Sequence, residues 1–435
     1  MSFPTVDNIY AEGPTGYGSG ITYLDPYLYV LYWGGWPAYE PKVHKLNPET
    51  YEKIAEWTAP YQAAFAQSIC TDCEYIYVGT SNRGPTGGHH PIHVYKIDPD
   101  TMATVASWAG QASGDVWAEA IQFDFQSERL LVLEDRGRYR IYKLRQDLTE
   151  EMRKDAESGW PPSQWYGNDL TILGDYCYIA TGGTPGEIVK RRISDLEMVD
   201  YFQGAIDDPD DYIEGIFFNI CNDGRYLYTA TYDYREERPT RLIKVNPSDM
   251  TRAGTYYGAS DELLAYGSYA YGGKVYMLLY GWNGIWWNEP GYAEGEVVLQ
   301  IDPTTMTKTA RYANWTGDWN SAYRAVGDGS RLHIVFWGQA TRSVLQFAEH
   351  GTGLCATCGK ISIGNKVMLC PIGARFGNVI ALKSGNAKPA HKAFIAPLDN
   401  QAAMKLAFRN CKAVQNDKVV CAPLGRTKKK FLGVR

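Results

Sequence analysis

Residues 75–101 read YIYVGTSNRGPTGGHHPIHVYKIDPDT. The opening Tyr75-Ile76-Tyr77-Val78 alternates tyrosine with aliphatic side chains, a period of two that suits a strand with two different faces. At the other end, Lys96-Ile97-Asp98-Pro99 is a second strand that must stop at its proline, because proline has no N–H to give to a sheet ladder. The same pair of signals recurs along the chain. The tyrosine-type strand starts again at Tyr27 (YLYV), Arg129 (RLLV), Tyr176 (YCYI), Tyr226 (YLYT), Lys274 (KVYM) and Arg331 (RLHI); with Tyr75 these make seven units, 48, 54, 47, 50, 48 and 57 residues apart. Turn residues precede most of them, as at Asp223-Gly224, Gly272-Gly273 and Asp328-Gly329, in the manner of two-residue hairpins. Prolines close the following strand at Lys45-Leu46-Asn47-Pro48, Lys244-Val245-Asn246-Pro247 and Gln300-Ile301-Asp302-Pro303.

Each unit therefore reads as four antiparallel strands: one before the turn, the tyrosine strand, the strand ending at proline, and one beyond it such as Lys53-Ile54-Ala55-Glu56-Trp57. Four strands in a period near fifty are the signature of a β-propeller. The expected fold is all-β, a seven-bladed propeller. The last unit has three strands, ending at Ser343-Val344-Leu345-Gln346-Phe347, while Val6-Asp7-Asn8-Ile9-Tyr10 is a strand without a unit, so residues 5–11 are expected to complete the last blade. In unit three the charged stretch 146–159 (QDLTEEMRKDAESG) reads as an exposed helix, which puts that blade's fourth strand in doubt. The repeat resembles the YVTN-type and related seven-bladed propellers, on Tyr77-Val78 with Ile97-Asp98-Pro99-Asp100-Thr101 and on Ile301-Asp302-Pro303-Thr304-Thr305. The resemblance covers roughly residues 5–350 and implies a fold, not a function.

Composition supports the same picture. The chain has 435 residues, 45% hydrophobic and 21% charged, with 33 Tyr, 13 Trp and 44 Gly, a mixture that favours many short strands and tight turns over disorder. Charge divides it in two. Residues 351–435 hold 15 Lys or Arg against Asp399 and Asp417, a balance of +13, which leaves −19 on residues 1–350. Tyr and Trp are absent after Trp337, and five of the nine cysteines fall in this last fifth. A propeller domain over 1–350 and a small, basic, β-rich assembly or anchoring domain over 351–435 are expected. No apolar run reaches the length of a membrane span, and the start MSFPTVDNIYAEGPTGYG has neither a basic nor an apolar signal region; cytoplasmic synthesis without a signal peptide is the expectation.

Candidate sites fall into three groups. Loops between the second and third strands carry Trp33 and Trp36, Trp282, Trp286 and Trp287, with Trp337 the corresponding residue of the last blade; together they predict an aromatic arc on one face that takes a glycan, a receptor or another protein surface. The alternative is that these tryptophans pack beneath their own loops. The innermost strands carry Gln67, Glu119, Asp169, Glu214 and Arg324 toward the central channel, where acids with perturbed pKa values can bind a cation or act as paired carboxylates. No nucleophile-base pair accompanies them, so solvated channel groups are the simpler reading. In the basic segment, Cys355, Cys358, Cys370, Cys411 and Cys421 are the candidate set for a structural zinc, and Asn365-Lys366-Val367 is echoed by Asp417-Lys418-Val419, suggesting two β-rich half-units.

Weaker signals are His89, His90 and His93, where Pro91 breaks the spacing of a metal site, and Cys70 and Cys73, which read as ordinary buried or turn cysteines. The basic segment suits an acidic protein surface, including the propeller of a neighbouring copy; nucleic acid is a further candidate without a recognition motif. Two functions follow. One is a non-enzymatic structural and binding propeller anchored by its tail, as in a virion or other large assembly. The other is a propeller enzyme, a lyase or hydrolase of a saccharide, using the channel acids.

Overall fold

The computed structural model describes residues 6–10, 18–34, 40–60, 65–81, 91–110, 117–135, 138–156, 166–205, 214–232, 239–282, 294–315, 321–328, 331–337 and 344–348, and the strands between 359 and 420; for 6–10, 232, 281–282, 294–295, 314–315, 337 and everything from 344 onward the backbone alone is described. The chain divides into two compact units, Met1–Cys355 and Ala356–Arg435.

In the first unit, six antiparallel sheets are each built of four strands consecutive in sequence, and a seventh joins Ser321–Gly327, Arg331–Trp337 and Val344–Ala348 to the N-terminal strand Val6–Tyr10. Strands are lettered a to d from the inside of each blade outward. The a strands are Gly18–Leu24, Phe65–Thr71, Trp117–Asp124, Gly167–Leu173, Ile216–Asn222, Ala265–Tyr271 and Ser321–Gly327. Each packs against the next, and the last returns to the first, so they line a closed ring around a central channel. This is the architecture of a β-propeller. The closing strand pairs Val6 with Phe347, Ile9 with Leu345 and Tyr10 with Val344.

The hydrophobic core is seven layers, one between each pair of neighbouring blades. Between blades 1 and 2 it contains Tyr29, Leu31, Val43, Val78 and Ile97; between blades 7 and 1 it contains Val30, Tyr32, Val326 and Val335. Alternation along each b strand supplies both layers, which is why these strands are apolar on both faces. The d strands face water on one side and read differently. In blade 3 this strand is Glu150–Asp155, so the expected helix over 146–159 is wrong. Its charges find cross-strand partners: Glu151 accepts from Arg129 at 2.5 Å and from Lys143 at 3.1 Å, and Asp155 pairs with Arg140. Charge density misled because an outermost strand with paired charges has the composition of an exposed helix.

The tyrosine motif has a physical explanation in the blades. Its third residue is buried between sheets, and its polar end is held by the turn that precedes it. Tyr77 donates to Asp72 at 2.7 Å and Tyr228 to Asp223 at 2.8 Å, while the same aspartates cap backbone N–H groups of the turn. In blade 7, His333 and Asp328 meet at 3.0 Å in the same place. The first tyrosine lies beneath the lysine of the c strand: Lys45 over Tyr27, Lys96 over Tyr75, Lys190 over Tyr176 and Lys244 over Tyr226, at 3.8–4.6 Å from the ring centres. Those lysines then reach the next blade. Lys45 donates to the Pro99 carbonyl, Lys190 to Pro247 and Lys244 to Pro303, each at 2.7 Å. In blades 1 and 5 Lys-x-Asn-Pro is thus both the end of a strand and half of an interblade latch, and in blade 4 Lys190 makes the same latch without the proline run.

The turns between the c and d strands share a second device, with or without the proline. Tyr51, Met102, Leu148, Leu196, Met250 and Met306 all have positive φ, between 51° and 65°. A side chain there costs roughly 1 kcal/mol or more, and burial of the apolar group between blades offsets it. Glycine is used where nothing is buried: Gly272 and Gly273, with φ of 59° and 78°, form the two-residue turn joining Tyr271 to Lys274.

Blade 1 contains a buried histidine. His44, 2% exposed, faces Glu56 across the c and d strands, with Nε2 3.1 Å from the carboxylate. Burial pushes its imidazole down to about 4, outweighing the opposing pull of Glu56, with Lys53 and Lys42 adding to the fall. A group that folding makes harder to protonate contributes stability that is complete above pH 6.5 and is lost as pH falls through 4. The expected loss at pH 5 is roughly 2 kcal/mol relative to pH 7. Urea unfolding at both pH values checks this: His44→Phe should flatten the profile in this window, and an unchanged slope would refute the assignment.

The second unit is described by backbone alone. Gly359–Ile363 pairs with Lys366–Cys370; Ile372–Phe376, Val379–Lys383 and Lys405–Arg409 form a mixed sheet; and Asn386–Ala387, Lys412–Gln415 and Lys418–Val420 form another. The two halves of the noted duplication occupy matching places, each strand following a two-residue link from its hairpin partner, Ile363 to Lys366 and Gln415 to Lys418.

Candidate functional site

The a strands carry a feature that has no local signal in the sequence. Every one has a β-bulge one or two residues after its start, at the end of the strand opposite the a–b hairpin turn. A bulge inserts a residue with no partner opposite and re-aims its side chain. The inserted residues of blades 1 to 7 are Ser19, Gln67, Glu119, Asn168, Phe218 (with Asn219), Tyr266 and Tyr323. All except Ser19 and Asn219 are half-buried. The ring is two-sided in chemistry, polar over blades 1–4 and aromatic over blades 5–7. Phe218 and Tyr266 have ring centres 5.7 Å apart, and Tyr266 and Tyr323 6.2 Å.

Neighbouring a strands are tied by side-chain hydrogen bonds at this level. Ser19 donates to the Ala66 carbonyl at 2.6 Å, Ser68 to Ala118 at 2.9 Å and Asn168 to Phe217 at 3.0 Å. Asp169, directly after the blade 4 bulge, accepts from Leu170 N, Ile220 N and Asn219 Nδ2, and Asn219 accepts in turn from Ser268 N at 2.6 Å. The Asp169 carboxylate is therefore committed to holding blades 4 and 5 together. Arg324, directly after the blade 7 bulge, lies 4.5 Å over the Tyr323 ring and makes two long contacts of 3.4 Å from Nη1 to the carbonyls of Tyr266 and Tyr323. Its Nε and Nη2 donate to no group among the described residues, and no carboxylate there forms an ion pair with it.

Glu119, Asp169, Arg324 and Tyr323 nevertheless share one electrostatic environment, although they come from blades 3, 4 and 7. Burial raises the Glu119 carboxyl well above its usual range; Asp135 and Asp169 push the same way, and Arg324 opposes them. Burial also raises Asp169, against Arg324 and the donors just named. Arg324 is raised despite its burial, because Tyr323, Asp169 and Glu119 favour its charged form. Three of the channel residues read from sequence thus converge. Gln67 sits on the blade 2 bulge. Glu214 does not belong with them: it is fully buried between blades 4 and 5, paired with Arg252 and with Arg241 at 3.3 Å, and accepts from Ala205 N at 2.7 Å. It precedes the a strand Ile216–Asn222, so it falls short of the bulge by several residues.

On the same end of the molecule, Trp33 follows the b strand of blade 1 and stacks on Phe65, with centres 4.3 Å apart and planes 27° from parallel. Trp117 continues the stack at 5.3 Å from Phe65 and 6.5 Å from Trp33. Trp33 is half-buried, and its described neighbours belong to blades 2 and 3. Phe65 and Trp117 were not singled out in the sequence, because they open a strands and look like ordinary strand residues. Trp282 and Trp337 end the b strands of blades 6 and 7, where only the backbone is described; Trp36, Trp286 and Trp287 lie outside the described residues.

The zinc candidates Cys355, Cys358, Cys411 and Cys421 also lie outside the described residues, as do His89 and His90; Cys370 ends a strand described by its backbone. His93 opens the c strand of blade 2 and stacks on Tyr95 at 5.8 Å. Cys70 is a free thiol raised by burial, and Cys73 is disulfide-bonded elsewhere, so the two do not form a redox pair. Among the described residues no group of three His, Cys, Asp or Glu is arranged to hold a metal ion, and no helix is long and apolar enough to cross a membrane.

The fold defines the chain as a β-propeller. No protein-family model and no curated protein matches it. Among solved structures it is similar to the computationally designed Ika8 protein, at 8% identity and a TM-score of 0.49, over 79% of this chain and 100% of that one. A likeness at that level carries no functional argument.

Proposed function

We propose that this is a non-enzymatic binding propeller. It displays the end bearing Trp33, Phe65 and Trp117 to a glycan or receptor, while residues 351–435, at +13, anchor it to an acidic partner in a larger assembly such as a virion. The observation that carries this reading is the aromatic stack beside the bulge ring: the partly exposed rings of Trp33 and Trp117, held against the buried Phe65, give rigid contact area at little entropic cost. A structural zinc on four of the candidate thiols Cys355, Cys358, Cys370, Cys411 and Cys421 belongs to the anchoring part of the proposal. The second reading, a saccharide lyase or hydrolase, draws on Glu119, whose carboxyl is raised well above its usual range by burial, the direction that a general acid needs.

The full chain incubated with an oligosaccharide panel separates them. Retention without shortened or unsaturated products is expected. Appearance of such products would establish the enzyme instead, and no retention on any glycan would remove the adhesive reading. Native mass spectrometry of the same sample should show assembly and a chelator-sensitive mass increment if the tail acts as proposed.

A further inference from the structure

We infer that the mouth of the central channel, at the level of the bulge ring, is a binding site for one neutral, hydroxyl-rich ring, with Arg324 as donor, Glu119 as its hydrogen-bonding carboxyl and Tyr266 and Tyr323 as the stacking wall. The inference rests on the binding reading above and names the chemistry of one site within it.

Arg324 is a fixed positive charge in a confined place, which disfavours a cationic ligand. Asp135, Asp169 and Glu119 all act on this cluster, which disfavours a dianion such as phosphate. A neutral polyol avoids both penalties. It also matches the groups on offer. The Nε and Nη2 protons of Arg324 donate to nothing among the described residues and suit a pair of vicinal hydroxyls, since guanidinium presents two parallel donors. Glu119 is the inserted residue of its bulge, half-buried, and comes from the wall opposite the aromatic residues. Phe218, Tyr266 and Tyr323 offer consecutive aromatic rings to the C–H face of a sugar. Asp169 does not touch the ligand in this scheme. Its carboxylate is already committed to Leu170, Ile220 and Asn219, and it acts as a positioning residue that fixes the bulges of blades 4 and 5.

The test uses the full chain and saturation-transfer NMR with the methyl glycosides of glucose, galactose, mannose and N-acetylglucosamine at millimolar concentration, with inorganic phosphate and glucuronate as competitors. At least one glycoside should receive transfer, and Arg324→Gln and Tyr266→Ala should each weaken it by about tenfold or more. Lys244→Met, which removes an interblade latch at the far end of the blades, controls for loss of stability and should leave glycoside binding unchanged. Each variant is first checked by its melting curve. If Arg324→Gln does not fold, Tyr266→Ala alone decides. No transfer from any of the four glycosides, equal binding by both channel variants, or displacement by phosphate at equal concentration would each overturn the inference. Retention of an oligosaccharide by the full chain despite such a result leaves the broader binding reading standing, so the two failures are distinguishable.

Discussion

Removing residues 1–11 should lower the thermal midpoint by on the order of 10 °C, a loss of several kcal/mol at this chain size. Val6–Tyr10 is the outermost strand of blade 7 and the only N-terminal element in a sheet otherwise made from residues 321–348. Its ladder with Val344–Ala348 joins segments more than three hundred residues apart and so removes loop entropy from the unfolded chain in the way a crosslink does. Without it, Val344–Ala348 becomes a bare edge, and the layer between blades 7 and 1 loses the tie that holds its first blade in register. Differential scanning calorimetry of the shortened and full chains checks this. A peptide of residues 1–11 added in trans should recover part of the loss by strand addition. A midpoint within about 2 °C of the full chain would show that the ring is closed by packing alone.

Arg191→Ala should be the most damaging single substitution in the propeller, at about 3–5 kcal/mol. Arg191 is fully buried, on the c strand Glu187–Arg192 of blade 4. Its Nη2 donates to Tyr139 of blade 3 at 2.9 Å and its Nη1 to the Leu196 carbonyl at 2.7 Å, with the guanidinium 5.3 Å from the Tyr139 ring centre. The alanine variant removes the side chain from an interblade layer, leaves a cavity and strips donors from acceptors that water does not reach. Arg191→Met keeps most of the volume and none of the donors, so the difference between the two variants measures packing against hydrogen bonding. Chemical denaturation of both is the check, and an alanine variant within 1 kcal/mol of the parent would mean that the layer relaxes around the gap.

These two predictions differ in how visible their basis was. The closing strand was readable, because an unmatched strand at one end and an incomplete unit at the other point to each other once the period is known. Arg191 was invisible: Lys190-Arg191-Arg192 looks like a solvated charge run, and only the stacked neighbour shows that Lys190 is mostly covered and Arg191 wholly so while Arg192 stays exposed. The helix expected in blade 3 failed for a related reason, since Glu150–Asp155 is charged on both faces and its partners Arg129 and Arg140 belong to other strands. In the candidate site, Glu119, Asp169 and Arg324 were legible as polar residues at comparable positions on inner strands. Their convergence was not, and Glu214 was misplaced, because being a few residues before a strand changes an interblade ion pair into an apparent channel group. Phe65, Trp117 and the bulge aromatics Phe218, Tyr266 and Tyr323 carried no local signal at all.

The sequence by itself determined what depends on neighbours in the chain or on the period: the class of fold, the order of strands, the proline and glycine turns, the closure by residues 6–10 and the basic segment at the end. Turn chemistry and alternation act over a few residues, so they are written locally. Only the tertiary structure decided what depends on contacts between blades. The latch lysines, the interblade burial of Tyr139 and Arg191, and the bulge ring with Arg324 opposite Glu119 all join residues about fifty or more positions apart. Closing the ring brings seven equivalent positions to one mouth, and which side chains meet there is set by that closure and not by any one blade.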